Sequence, residues 1–149
     1  MSRRQRVVFG LALAVALCLR FAPLRDTEFV YEDARVQEGA KQSVRWTPAL
    51  GGGVWRPVTV STWQFQQGQA PWVLHSTDVL LFLLSGLLLA RMVRRLAHSE
   101  TAAWIATAVF LLHPLSTEAV NYSASRGELI ALAGMLGTCN LALSRYWRA

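Results

Sequence analysis

One short segment, His113 to Glu128, holds a histidine, two glutamates and an arginine between two apolar runs. Ionisable groups at the edge of an apolar run are costly unless they bind, pair or react with something. His113 and Glu118 are of types that ligate zinc, but no third or fourth ligand accompanies them, so we predict no metal site. A turn braced by a Glu118–Arg126 ion pair is the structural alternative.

An acidic pair, Glu32-Asp33, follows soon after the first apolar run. A carboxylate in this position can take a proton from an attacking hydroxyl as a general base, or it can hold a cation. The spacing alone favours the simpler alternative, a solvated pair in a loop.

Two further polar elements lie before or at the start of the second apolar run. Arg56 can bind a phosphate, although the residues alone favour a helix start at Pro57 with the arginine beside it. His75 and Asp78 are three residues apart and therefore share a helical face. Because two ligands do not make a metal site, we predict that they hydrogen-bond each other.

Four apolar runs must position these residues. The chain has 149 residues and is 53% hydrophobic, so we predict an all-α membrane protein with about four transmembrane helices. For the first run a signal peptide is the alternative, but no small-x-small cleavage site follows it. The first loop, residues 25–72, should carry short helices on the membrane surface, because its tryptophans favour the interface. The helices are expected at about 7–23, 73–93, 102–113 and 127–144.

Arginines mark one side of this bundle. They stand before the first run, after the second and after the fourth, so the positive-inside rule makes the N-terminus cytoplasmic. The first loop and the His113–Arg126 segment then meet on the opposite, non-cytoplasmic face. We expect an integral membrane protein, in the cell inner membrane if the source is bacterial. The net charge of +6 does not indicate nucleic-acid binding, because the cations flank apolar runs instead of forming a stripe with aromatics.

In their order along the chain, these elements resemble the N-terminal part of the transmembrane-and-tetratricopeptide-repeat proteins. Those are GT-C membrane glycosyltransferases related to protein O-mannosyltransferases. The best match is HPLSTEAVNYSASRGELIAL, supported by FVYEDARV and WRPVTVSTWQF. The chain departs from the family's pattern at Glu32, usually Asp, and at Asp78, usually Asn. It also stops after the fourth run without a helical repeat of about 34 residues, so residues 1–149 are expected to be the N-terminal portion of a GT-C-like domain.

The resemblance implies transfer of a sugar from a polyprenyl-phosphate donor to a protein Ser or Thr hydroxyl on the non-cytoplasmic face. That donor is the implied substrate, with no certain cofactor and no metal. The implied partners are membrane lipid, the donor, and an acceptor protein or the remaining part of a split enzyme. A non-catalytic membrane module that binds a lipid phosphate or a partner protein is the alternative. The implied roles are Asp33 as base with Glu32 beside it, Arg56 and Arg126 on the donor phosphate, and His75, Asp78, His113 and Glu118 in support.

Overall fold

The computed structural model describes residues 3–22 and 56–146, and this part of the chain contains helices and no strands. The predicted all-α class is therefore confirmed for these residues. The first loop is described only from residue 56, where it contains one short helix; a position on the membrane surface stays a prediction. The helices are α1 Arg3–Phe21, α2 Pro57–Phe65, α3 Pro71–Ala97, α4 Glu100–Leu112, α5 Ser116–Asn121, a 3-10 turn Ser123–Ser125, and α6 Arg126–Tyr146.

Two of these helices are long and apolar enough to cross a membrane. They are Pro71–Ala97, with 27 residues, and Arg126–Ser144, with 19 residues. The apolar part of α1 is shorter, and α4 has 13 residues. A helix of that length measures about 20 Å, against a hydrocarbon core of about 30 Å. The structure thus contains two candidate spans in its described part, and the count of four stays a prediction.

The ends of α3 and α4 follow from local sequence signals. Pro71 is the first residue of α3, where its missing N–H is not needed. His98 ends that helix in the left-handed conformation (φ 49°), and the Ser99 side chain then accepts a backbone hydrogen bond in the first turn of α4. Helix α4 stops because Pro114 favours an extended conformation at His113, as predicted. The two helices consequently form an antiparallel hairpin.

Helix α3 is the centre of the bundle, and α6 runs parallel to it. Arg126, at the start of α6, bonds to Asp78 near the start of α3. Farther along both helices, the Asn140 side-chain amide donates to the Leu88 carbonyl oxygen at 2.9 Å. The two ends of the bundle are named here after the residues found at them, the Arg126 end and the Arg94 end.

Helix α1 runs antiparallel to α3 and joins the bundle through aromatic and charged contacts. The Phe21 ring lies 6.1 Å from that of Phe82, and the Phe9 ring lies 5.6 Å from that of Trp104 in α4. Arg6 forms an ion pair with the first residue of α4. These contacts bring the N-terminal arginines to the Arg94 end.

The core is small and centred on Phe82. This ring is 1% exposed and packs against Leu111, Val120 and Leu129 from three other helical segments. The outward faces of the helices are also apolar; Leu80 of α3 is 66% exposed. Such faces are unfavourable in water but suit a lipid solvent. Together with the two candidate spans, they support a membrane protein.

Candidate functional site

A buried arginine lies at the centre of a polar cluster at the Arg126 end. The Arg126 side chain has no exposed surface. Its Nε donates to Asp78 Oδ1 at 2.6 Å, and its Nη2 donates to Asp78 Oδ2 at 3.4 Å and to the Leu74 carbonyl oxygen at 3.0 Å. Its Nη1 donates to Gln66 Oε1 at 2.7 Å. All three guanidinium nitrogens are therefore engaged within the protein.

The cluster joins three helical segments. Asp78 belongs to the second turn of α3, Arg126 begins α6, and Gln66 immediately follows α2. Gln66 is itself held in place, because its Nε2 donates to Thr77 Oγ1 at 2.5 Å. Removing one member of a buried charge pair leaves the other uncompensated, so the geometry of the junction depends on both charges.

One prediction about this cluster is wrong, and one alternative falls on a side chain outside the described part. His75 and Asp78 do not hydrogen-bond each other, because the carboxylate faces Arg126 instead. His75 is 2% exposed, and neither of its ring nitrogens has a hydrogen-bond partner in the described part of the chain. The described carboxylate that pairs with Arg126 is Asp78. Glu118 lies in α5, and its side chain is outside the described part.

The unbonded histidine is notable because buried polar groups are nearly always hydrogen-bonded. Leaving such a group unsatisfied costs about 1–3 kcal/mol. His75 lies one turn before Asp78 on α3, next to the carbonyl of Leu74 that Arg126 uses. His75 thus has two ring nitrogens that can still form hydrogen bonds beside this cluster.

Arg56 lies beside the same junction but is exposed. It precedes Pro57, the first residue of α2, so the predicted helix start is confirmed. A methyl group on the Cα of Gly127 would come within 3.7 Å of Arg56 Nη1 and 3.1 Å of Thr59 Oγ1. The bare Cα of Gly127 therefore lets α2 approach the start of α6. As a result, an exposed guanidinium lies next to the residue that follows Arg126.

His113 is part of the turn that ends α4. Its Nδ1 accepts a hydrogen bond from the Leu115 backbone N–H at 3.2 Å, and its carbonyl oxygen accepts one from the Ser116 hydroxyl at 2.6 Å. These bonds give it a structural part in reversing the chain toward α5. Glu32 and Asp33 lie outside the described residues, so their predicted role as base stays a prediction.

The structure brings together residues that are far apart in sequence. Gln66 and Arg56 from the first loop adjoin Arg126 and Gly127, which confirms for the described residues that these two polar segments meet at one end. No motif marks Gln66, an ordinary amide in a polar stretch of the sequence. Among the residues described, no group of three or more His, Cys, Asp and Glu side chains could hold a metal ion.

Comparison with known proteins gives one partial similarity. Over an alignment of 83 residues the chain is 36% identical to "Protein O-mannosyl-transferase Tmtc2" of Drosophila melanogaster. The alignment covers 53% of this chain, which spans 9% of the length of that protein. No family model matches, and no solved structure gives a significant match. The similarity agrees with the resemblance carried by the motifs and supports a glycosyltransferase-like function in coarse terms.

Proposed function

We propose that this chain is part of a membrane glycosyltransferase. It transfers a sugar from a polyprenyl-phosphate donor to a Ser or Thr hydroxyl of a protein, on the non-cytoplasmic face of the membrane. The observation that carries the proposal is the meeting of Arg56 and the Asp78–Arg126 pair at one end of an apolar helical bundle. The partial similarity to a protein O-mannosyltransferase supports the same reaction class.

The donor phosphate is assigned to Arg56. Its guanidinium is exposed, and arginine binds phosphate through charge-assisted, often bidentate hydrogen bonds. The resemblance implies the same role for Arg126, but its nitrogens already bond to Asp78, Gln66 and a backbone carbonyl. Direct contact with phosphate would require Arg126 to break its ion pair with Asp78. We therefore propose that Arg126 has a positioning role: it holds the start of α6 against α3 and α2, and Arg56 lies at the start of α2.

Asp33 is the proposed general base, with Glu32 beside it. A carboxylate that accepts the proton of the attacking hydroxyl contributes about 10²–10⁴-fold to the rate. As the bond to the donor breaks, negative charge grows on the departing lipid phosphate, where a fixed cation such as Arg56 stabilises it. The ring nitrogens of His75 can form hydrogen bonds beside the Asp78–Arg126 pair. His113 has a structural role in the turn that leads to α5.

The proposed orientation follows from the ends of the helices. Arg6, Arg91 and Arg94 lie at the Arg94 end, opposite the polar cluster. Arginines favour the cytoplasmic side of a membrane protein. The N-terminus is accordingly assigned to the cytoplasm and the Arg126 end to the other side.

The test is a transfer assay with the full chain purified in detergent. Polyprenyl-phosphate mannose carrying a radiolabel serves as donor, and a Ser/Thr-rich peptide serves as acceptor. We expect label in the peptide, a loss of about 100-fold or more in Asp33→Asn, and weaker donor binding in Arg56→Gln. Arg4→Gln, which removes an exposed arginine at the opposite end, is the matched control. Unchanged transfer by Asp33→Asn would reject the proposed base.

A non-catalytic module that binds a lipid phosphate is the second candidate. It is favoured by the engagement of every Arg126 nitrogen, which leaves Arg56 as the exposed cation of the described site. The same assay separates the two candidates. Donor binding that is lost in Arg56→Gln, without transfer by the unmodified chain, assigns the chain to the second class.

A further inference from the structure

An apolar groove opens at the Arg94 end, away from the proposed donor site. It has a volume of about 620 Å³ and lies between α1, α3 and α4. This volume falls within the roughly 300–1,000 Å³ of pockets that hold small molecules. Along α3 the groove extends from Leu83 to Arg94, a helical rise of about 16 Å. Its walls are formed largely by Leu13 and Leu17 of α1, Leu87 of α3 and Trp104 of α4.

The mouth of this groove is cationic. Four ionisable residues lie there: Arg6, Arg91, Arg94 and Glu100. Arg6 and Glu100 neutralise each other in an ion pair of 3.0 Å. Arg91 and Arg94 are exposed, and neither pairs with a carboxylate in the part of the chain that the structure describes. Two positive charges thus remain at the opening of an apolar slot.

We propose that this groove binds one phospholipid with an anionic headgroup. An acyl chain lies along the leucines of α1 and α3, and the headgroup phosphate contacts Arg91 and Arg94. Basic pockets between membrane helices are known sites for anionic lipid headgroups. An uncharged helix from another protein would fill the slot but leave both arginines unpaired, so the charge favours the lipid.

The position of the groove separates this site from the proposed enzymatic one. Arg94 lies near the last turn of α3, whereas Asp78 lies in its second turn. Sixteen residues of helix correspond to about 24 Å along the axis. The proposed lipid site can therefore be tested independently of the proposed site for the sugar donor.

Lipid binding is tested with the full chain in neutral detergent. Brominated phosphatidylglycerol and brominated phosphatidylcholine with identical acyl chains are added, and quenching of tryptophan fluorescence is measured. Trp104 lines the groove, so we expect Trp104→Phe to remove the saturable part of the quenching. We expect phosphatidylglycerol to bind more tightly than phosphatidylcholine.

Charge removal provides the decisive comparison. Each arginine near a membrane surface contributes about fivefold to binding of an anionic lipid, so Arg91→Gln together with Arg94→Gln should weaken phosphatidylglycerol binding by about thirtyfold. Lysine at both positions should preserve most of it. Arg4→Gln, at an exposed arginine outside the groove, is the matched control and should change binding by no more than about twofold.

Three results would overturn the inference. The first is equal binding of the two lipids, with or without the arginines, in variants whose circular dichroism is unchanged. The second is saturable quenching that persists in Trp104→Phe, because the lipid then binds elsewhere. The third is displacement of phosphatidylglycerol by millimolar inorganic phosphate, which would make this a site for the free anion.

Discussion

Arg126 and Asp78 form an ion pair of 2.6 Å, and neither side chain is exposed. The two residues are 48 positions apart and fix the start of α6 against the start of α3. The Asp78 carboxylate bonds to Arg126 and not to His75, the partner that the sequence suggested within one helix. It gives Arg126 a structural role and leaves Arg56 as the exposed arginine described beside this pair.

Breaking this pair should strongly destabilise the bundle. Arg126→Met leaves the Asp78 carboxylate buried without its cation, so we expect the free energy of unfolding to fall by about 3–5 kcal/mol. Unfolding in mixed detergent micelles, followed by circular dichroism, measures the change. Arg4→Met, at an exposed arginine, should change it by less than about 0.5 kcal/mol.

The double variant Asp78→Leu with Arg126→Met should recover much of that loss. Replacing both members of a buried ion pair by apolar residues removes the uncompensated charge and is often neutral. The same unfolding measurement applies. A double variant as unstable as the sum of the single variants would show that the two side chains act separately.

Gly127→Ala should disturb the contact between α2 and α6. The added methyl group would lie 3.1 Å from Thr59 Oγ1, and Thr59 is buried. Gly134→Ala in the same helix meets no atom within 4 Å and should stabilise the helix by about 0.5–1 kcal/mol. We expect Gly127→Ala to be less stable than Gly134→Ala by about 1–2 kcal/mol. Equal stability in the unfolding assay would contradict the close approach.

Gly86→Val should separate α3 from α4. A Cβ at this position would come 2.8 Å from Leu111 Cδ2. Overpacking of this kind costs about 1–3 kcal/mol. Adding Leu111→Ala should reduce the penalty of the valine, because it removes the atoms that the new side chain meets. A double-mutant cycle of unfolding free energies checks this, and strict additivity would argue against the contact.

The two ends of α3 should react on opposite sides of the membrane. Cysteines placed at Gln67 and at Ala97, both exposed, lie before and at the end of this helix. In a background with Cys18→Ser and Cys139→Ser, an impermeant thiol reagent added to intact cells should label position 67 and spare position 97. The reverse pattern would invert the proposed orientation.

Part of this architecture was predictable from local chemistry. The apolar runs give the long helices, Pro57 and Pro71 start two of them, and Pro114 ends a third. The alternation of arginines along the chain predicts that the first loop meets the segment before Arg126. Each of these signals acts over a few residues or over one helix, so it can be recognised without tertiary structure.

The pairing inside the cluster could not be predicted in the same way. It depends on how α3 and α6 are rotated about their axes, and helical periodicity does not fix the rotation of one helix against another. Asp78 shares a face with His75, yet the carboxylate bonds across helices to Arg126. Asn140 bridges to Leu88 for the same reason, although nothing in its local sequence marks it.

The parallel course of α3 and α6 has an electrostatic consequence for the Arg126 end. Each helix carries a macrodipole, and its N-terminus behaves as about half a positive charge. Both N-termini point to the same end because the two helices run in the same direction. The side-chain charges of Arg126 and Asp78 cancel, whereas the dipoles of α3 and α6 add. Helices α1 and α4 run the other way and point their negative ends toward the same end, so the positive field is confined to the surroundings of the two N-termini. An anion beside the N-terminus of α6, where Arg56 lies, is therefore stabilised by the backbone as well as by that side chain, and more so where lipid lowers the dielectric constant.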